Sequence, residues 1–354
     1  MPVSPQAMRN RLMSVKINRR EFLFSLSGVA VLPRVLARMG RRHLPVFALN
    51  HMELSVSDPQ RSIEFYQGLF GMPIQAHMGG TTILRIGDGP QFMAIRAVAR
   101  GQAPSISCLG IALSEFDPGK IIETLKASGV RDAGLGMPAE TVMRVWTIGR
   151  GVEVGGGPEV TTELFLGDPH GIIVRLVDPT HCGGVGLLGN ICGVPEASPV
   201  TGLLAVHDLN HFTINVPDPP SAVRFYQEAF GLPIQAYQAS TPALGIGEGP
   251  QFLMFSGGTV ASRPAVINHV CMTVEAFDTE EILEKLSDYG IRSRVEGEST
   301  VVPLRSYISM RMPNRGGVEG GTPELYFTDP DGLRIQLQDT TYCGGGGYLG
   351  EVCI

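Results

Sequence analysis

From His51 to Val56 polar and apolar residues alternate, so an extended segment would carry His51, Glu53 and Ser55 on one face and Met52, Leu54 and Val56 on the other. Asp58-Pro59 follows, a pair suited to the N-cap and first turn of a helix. Ile63, Phe65, Tyr66, Leu69 and Phe70 then recur at helical spacing before a terminating Gly71. Three β-prone runs at about 73–77, 81–86 and 91–96 complete a βαβββ unit of about fifty residues. A second unit begins with a strand at Ser107–Leu113. Phe116-Asp117-Pro118 leads into a helix at about 118–128, and strands are predicted near 142–148, 161–167 and 172–177.

The whole order then returns. Phe65-Tyr-Gln-Gly-Leu-Phe-Gly-Met-Pro-Ile-Gln-Ala76 matches Phe225-Tyr-Gln-Glu-Ala-Phe-Gly-Leu-Pro-Ile-Gln-Ala236 at nine of twelve positions, offset by 160. Gly87-Asp-Gly-Pro-Gln-Phe92 returns as Gly247-Glu-Gly-Pro-Gln-Phe252, and Asp168-Pro-His-Gly171 as Asp329-Pro-Asp-Gly332. A duplication explains this and chance does not. It gives an α+β chain of four modules in two halves, 47–182 and 207–343, with a Gly/Pro-rich linker at 183–206 and a Gly/Cys tail at 344–354.

Residues 1–37 do not follow the pattern. Arg19-Arg20 precedes an apolar run from Phe22 to Leu32, too short to span a bilayer, and Val35-Leu36-Ala37 offers a cleavage point. This resembles a twin-arginine export signal, which implies an export-machinery partner and a periplasmic or secreted product folded, with any cofactor loaded, before it crosses. The other reading is a basic extension with an accidental Arg-Arg pair. The chain has 28 Lys and Arg against 34 Asp and Glu; residues 1–37 hold six of the bases and one of the acids, so the remainder carries −11. That balance argues against nucleic acid as a partner. Glycine (45) and proline (26) are abundant and only 18% of residues are charged, as expected of short strands and many turns rather than coiled coils or disorder.

Strand, Asp-Pro, a Phe-Tyr helix, Gly and three strands closing on Asp-Pro-x-Gly resemble the vicinal oxygen chelate (VOC) superfamily of glyoxalases, extradiol ring-cleaving dioxygenases, epimerases and antibiotic-resistance proteins. The resemblance covers nearly everything after residue 47. It implies two tandem glyoxalase-like domains, each a cupped open β-barrel with outer helices, and metal ligands pointing inward from first and last strands.

In the second half His211, His269 and Gln336 fall on the ligand positions. Both histidines begin polar faces backed by apolar ones. In the first half His51 is kept, but Cys108 stands for His269 and Arg175, a permanent cation, stands for Gln336. The first half is therefore expected to be scaffold without metal. Leu325-Tyr326 through Ile335-Gln336 resembles the extradiol signature, in which Tyr contacts substrate and a Glu ten residues later binds metal. Gln336 departs from that Glu, which removes a negative charge, and the upstream His of the signature is absent. Met254 falls where other members have a fourth ligand and suits hard metals poorly. Tyr307 joins Tyr326 as a substrate-contact candidate, while Arg305 and Glu324, repeated as Arg144 and Glu163, are expected in structural ion pairs.

Two imidazoles and one oxygen donor suit Fe(II) or Mn(II), with Zn(II) or Ni(II) as alternatives, and leave coordination positions for a small-molecule substrate. Dioxygenase-like chemistry on an oxygenated, aromatic compound is the leading expectation. A glyoxalase-type lyase, isomerase or hydrolase and a non-catalytic binding protein are the alternatives, and in the last case both histidines are ordinary pocket residues. Cys182 and Cys192, like Cys343 and Cys353, enclose equal glycine-rich loops that export would allow to be disulfide-bonded or that stay reduced as covers over the cups; zinc spacing is absent. The sequence leaves a homo-oligomer open.

Overall fold

The structure, a computed structural model, describes residues 43–257 and 264–354; the export-signal segment read at 1–37 lies outside the described residues. The first module comprises β1 (Val46–Val56), α1 (Pro59–Phe70), β2 (Ile74–Met78), β3 (Thr81–Arg85) and β4 (Phe92–Ala97). The second comprises β5 (Ser105–Leu113), α2 (Pro118–Ala127), β6 (Arg131–Leu135), β7 (Arg144–Arg150), β8 (Thr161–Gly167) and β9 (Ile173–Val177). The second half repeats them as β10 (Val206–Val216), α3 (Pro219–Phe230), β11 (Ile234–Gln238), β12 (Thr241–Gly245) and β13 (Phe252–Gly257). Its last module is β14 (Val266–Val274), α4 (Thr279–Asp288), β15 (Arg292–Ser293), β16 (Arg305–Arg311), β17 (Thr322–Thr328) and β18 (Arg334–Asp339). Even-numbered modules thus gain a short edge strand, β6 or β15, that the hydrophobic pattern did not reveal. β6 is exposed throughout, so it carries no apolar face to detect.

Each half is one open nine-stranded sheet, ordered β2-β3-β4-β1-β5-β9-β8-β7-β6 in the first and equivalently in the second. The Asp-Pro pairs act as the residue types dictate. Asp58, Asp117 and Asp218 each accept a backbone N–H from three residues on, with proline in the first turn, and Asp278 accepts from Glu280 and Glu281. Gly71 and Gly231 end α1 and α3 with φ of 66° and 68°, a left-handed cap that favours glycine. Among the described residues no helix is long and apolar enough to cross a membrane.

The two domains share one continuous apolar core on the sheet faces away from His51 and His211, where the helices pack. The repeated motifs fasten it. Gln91 accepts from the Leu209 N–H (2.8 Å) and donates to the Leu49 carbonyl (2.9 Å), while Gln251 accepts from Leu49 (2.8 Å) and donates to Leu209 (2.6 Å). Each side-chain amide thereby spans both domains. A Cβ on Gly87 or Gly247 would fall on the carbonyl oxygen of His207 or Phe47, so the preceding Gly of each motif is a close-approach glycine. The Asp-Pro-x-Gly turns dock likewise: Tyr66 donates to Asp329 (3.2 Å) and Tyr226 to Asp168 (3.4 Å), each across the domain boundary.

Of the two alternatives for the glycine-rich loops, the structure has the disulfide-bonded one. Cys182–Cys192 and Cys343–Cys353 are disulfide-bonded, with Cα separations of 6.4 and 6.3 Å, and make two like loops at the ends of the two domains. Glu196 also pairs with Ile74 of β2.

Candidate metal centre

Three strands bring the second half's expected ligands together. β10 and β14 run antiparallel with His211 opposite Cys271 and Thr213 opposite His269; β18 lies parallel to β14 with Gln336 beside Cys271. β17 adds Tyr326 opposite Gln336. His211, His269, Gln336 and Tyr326 border one cavity of about 230 Å³, together with Met254 and Glu324. The imidazole centroids are 5.5 Å apart at 81°, and His211 lies flat on Phe252 at 4.2 Å.

Each imidazole is held by its preceding residue. His211 Nδ1 is 2.7 Å from Asn210 Oδ1, and His269 Nδ1 is 2.9 Å from Asn268 Oδ1. Asn210 is itself fixed by donating to the Tyr342 carbonyl (2.8 Å), and Asn268 by accepting from Arg334 (2.8 Å). An amide oxygen at Nδ1 selects the tautomer with the proton there, which leaves the Nε2 lone pair for another partner. Asn50-His51 repeats the arrangement at 2.8 Å. The Asn-His dipeptide thus occurs three times in the sequence, a signal of these orienting partners that the strand reading passed over.

Gln336 is the anomaly. Both its Oε1 and its Nε2 are buried and neither makes a hydrogen bond, although the amide lies close enough to both rings to oppose part of the fall in their basicity. A buried amide left unsatisfied costs about 1–3 kcal/mol. An orphaned oxygen beside two neutral nitrogens fits a divalent cation, which would satisfy the oxygen and both lone pairs together.

Burial, and secondarily Arg334, holds His269 down to about 3; burial and then His269 hold His211 well below the ordinary histidine range. In the first domain burial and then Arg175 do the same to His51 and His181. A histidine whose folded pKa is lowered contributes stability that is present above 6.5 and is lost as pH falls below it, because the unfolded chain takes up the proton first. Between pH 7 and pH 6 each loses roughly 0.7 kcal/mol, so the four together lose roughly 2–3 kcal/mol. Asp329, raised to about 6 by burial, has the opposite sign and returns only a fraction over that interval. We expect the urea midpoint of metal-stripped protein to drop clearly from pH 7 to pH 6; an unchanged midpoint would show that these rings take up protons in the folded state.

Tyr326 meets the His269 ring edge-on at 5.2 Å and donates to Glu324 (3.2 Å). Burial and the Glu324 charge push its phenol well above the ordinary range, so it stays a proton donor. Tyr307 stacks on Tyr326 at 5.1 Å and borders an adjoining groove, outside the cavity that His211, His269 and Gln336 line. Arg305 and Glu324 are each in an ion pair, with other residues: Arg305 with Glu298 (3.0 Å), Glu324 with the fully buried Arg311 (2.9 Å). Glu324 nevertheless borders the cavity and also accepts from Tyr342 (3.2 Å).

The first cup is built from the same strands with other chemistry. His51, Glu53 and Cys108 have donor atoms mutually within 4.8 Å, the one such His, Cys, Asp or Glu group among the described residues. Arg175 stands over it. Its Nη1 is 3.9 Å from Glu53 and its Nη2 2.6 Å from Glu163, which also takes Arg150 at 2.7 Å. Burial, with Glu53 second, pushes the Cys108 thiol well up, so it keeps its proton. The sequence puts Arg175 at the position of Gln336 and Glu53 on the face of His51, but does not show Glu53 turned to that guanidinium.

A sequence model of the Glyoxalase/Bleomycin resistance protein/Dioxygenase superfamily matches residues 48–134 and 208–337, more than half of the chain. Among curated proteins there is no match in sequence. Solved structures of similar fold include the 2,3-dioxygenase LapB from Pseudomonas sp. KL28, with 16% identity, TM-score 0.57, and coverage of 84% of this chain and 93% of that one. Homoprotocatechuate 2,3-dioxygenase from Arthrobacter globiformis has 16% identity and TM-score 0.55, covering 84% and 81%. The Mn(II)-bound glyoxalase from Novosphingobium aromaticivorans has 12% identity and TM-score 0.53, covering 83% and 82%. At these identities the likeness is one of architecture.

Proposed function

The chain belongs to the glyoxalase/bleomycin resistance protein/dioxygenase superfamily, and from that membership we propose that its second domain is a metal-dependent site for a small, oxygenated aromatic compound, acting in the manner of an extradiol dioxygenase. The observation that carries this is the orphaned amide of Gln336 beside two histidines whose Nδ1 atoms are already tied. His211, His269 and Gln336 would hold the ion; Fe(II) or Mn(II) suits two nitrogens and an oxygen with positions left open. Such an ion supplies Lewis acidity toward the vicinal oxygens of a substrate. The protein's own part is to keep both imidazoles neutral, to exclude bulk water from a small cavity, and to keep the Tyr326 phenol protonated at the cavity wall.

A redox-neutral, glyoxalase-type reaction has one observation in its favour: the Glu324 carboxylate borders the cavity and offers a base. That carboxylate already accepts hydrogen bonds from Arg311, Tyr326 and Tyr342, which occupy its oxygens. We further propose that residues 1–37 direct export of the folded chain and that the site works outside the cytoplasm; the two disulfides support an oxidising compartment. The first domain, with Arg175 as its resident cation, is read as scaffold.

The test is metal analysis of protein purified without oxygen, followed by oxygen uptake with catechols. Near-stoichiometric iron or manganese with uptake is expected. Zinc or nickel without uptake transfers the site to the redox-neutral reading, and a metal-free protein that takes up none when offered it rejects both.

A further inference from the structure

Resting on the reading of this cup as a substrate site, we propose that the substrate carries a carboxylate, received by three arginines beside the cup. A groove of about 330 Å³ adjoins the cavity and shares Arg315, Glu324 and Tyr326 with it; Arg294 and Arg334 complete its cationic lining. One molecule can therefore place chelating oxygens in the cup and an anionic arm in the groove.

Arginines near this site are otherwise matched, Arg305 to Glu298 and Arg311 to Glu324. Among the described residues Arg294, Arg315 and Arg334 have no carboxylate within ion-pair distance; Glu298, which feels Arg294, is already held by Arg305. Arg334 donates to Asn268 and Thr300, yet its buried Nε has no acceptor. Arg294 sits 4.4 Å above the Tyr307 ring, which stacks on Tyr326, which in turn meets His269, so an aromatic wall runs from the groove to the ligands. In a chain whose residues after 37 carry −11, three uncompensated cations at one mouth make a local field that favours an anion.

The first domain supplies an internal comparison. At an offset of 161, the spacing that relates Arg150 to Arg311 and Arg175 to Gln336, the three arginines correspond to Ala133, Val154 and Ile173. The half without the ligand set lacks all three cations. Structural need common to both sheets does not explain them.

The experiment is calorimetric titration of the full chain, iron-loaded with catechol and 3,4-dihydroxybenzoate, and metal-free with benzyl alcohol and benzoate. The carboxylated member of each pair should bind about tenfold tighter, as a charge-assisted contact gives. In Arg294→Gln/Arg315→Gln most of the preference should be lost while catechol affinity holds. Arg334 is left alone because it fixes Asn268. The single Arg315→Gln change, at an exposed position, should remove part of the preference without risk to folding. Equal affinity within both pairs in wild type, or a preference undiminished by the double change, overturns the proposal. Failure to hold iron with the benzoate preference intact rejects the metal reading and leaves this one standing.

Discussion

Replacing His269 by Ala is expected to weaken metal retention at least about 100-fold, while His51→Ala leaves it unchanged. Loss of an outer-shell partner alone costs about 10–100-fold in metal affinity, so loss of a ligand should reach or exceed the upper figure. His269→Ala leaves one imidazole and a neutral amide, too little for a divalent ion in competition with water. His51 is a buried, Asn-tied histidine of the same local geometry, but its cup already holds the Arg175 guanidinium among Glu53 and Glu163. Gln336→Glu should move the other way. Its shape is kept and a negative charge is placed beside two neutral nitrogens, so retention should strengthen by about the factor that an added charged oxygen ligand gives, tenfold or more. Metal content after dialysis against graded chelator measures all three. Equal loss from His51→Ala and His269→Ala would overturn the assignment of domains.

The repeat and the Asp-Pro caps were legible because they rest on local rules, and strand alternation was legible because one face of each sheet packs into the apolar core while the other lines a polar cup. That His211, His269 and Gln336 border one cavity followed from alternation plus the family resemblance. What was hidden depends on contacts between distant segments. The Gly-x-Gly-Pro-Gln motif looked like a module signature, yet its glutamines bind strands of both domains, which no local window contains. Tyr307 alternated correctly but belongs to the adjoining groove, because neighbouring residues across β16 and β17 lie side by side rather than converging. Register shifts between β10 and β14 set His211 opposite Cys271, a detail that spacing alone does not fix. Arg311 was overlooked for a simpler reason: an arginine in a strand reads as exposed, and only the partner thirteen residues on, Glu324, lets it be wholly buried.

That buried pair gives a large expected stability effect. Arg311 is fully buried, donates Nε to Glu324 and Nη1 to the Gly316 carbonyl (2.9 Å), and has no acceptor for Nη2. Glu324→Gln would keep the side chain's shape and leave the guanidinium without its counter-charge, which should cost about 3–5 kcal/mol. Arg311→Met strands the carboxylate instead, although two tyrosine hydroxyls still serve it, so its loss should lie at the lower end of that range. The double change Arg311→Met/Glu324→Gln removes both charges and should recover most of either loss, a positive coupling that a cycle of urea unfolding curves reads directly. In the first domain Glu163 stands between two buried guanidinium groups, Arg150 and Arg175, so Glu163→Gln should cost more than Glu324→Gln even though that cup is assigned no chemistry. Single changes that each stay within about 1 kcal/mol of wild type would mean that water reaches these charges, and the low-dielectric character attributed to both cups would fall with them.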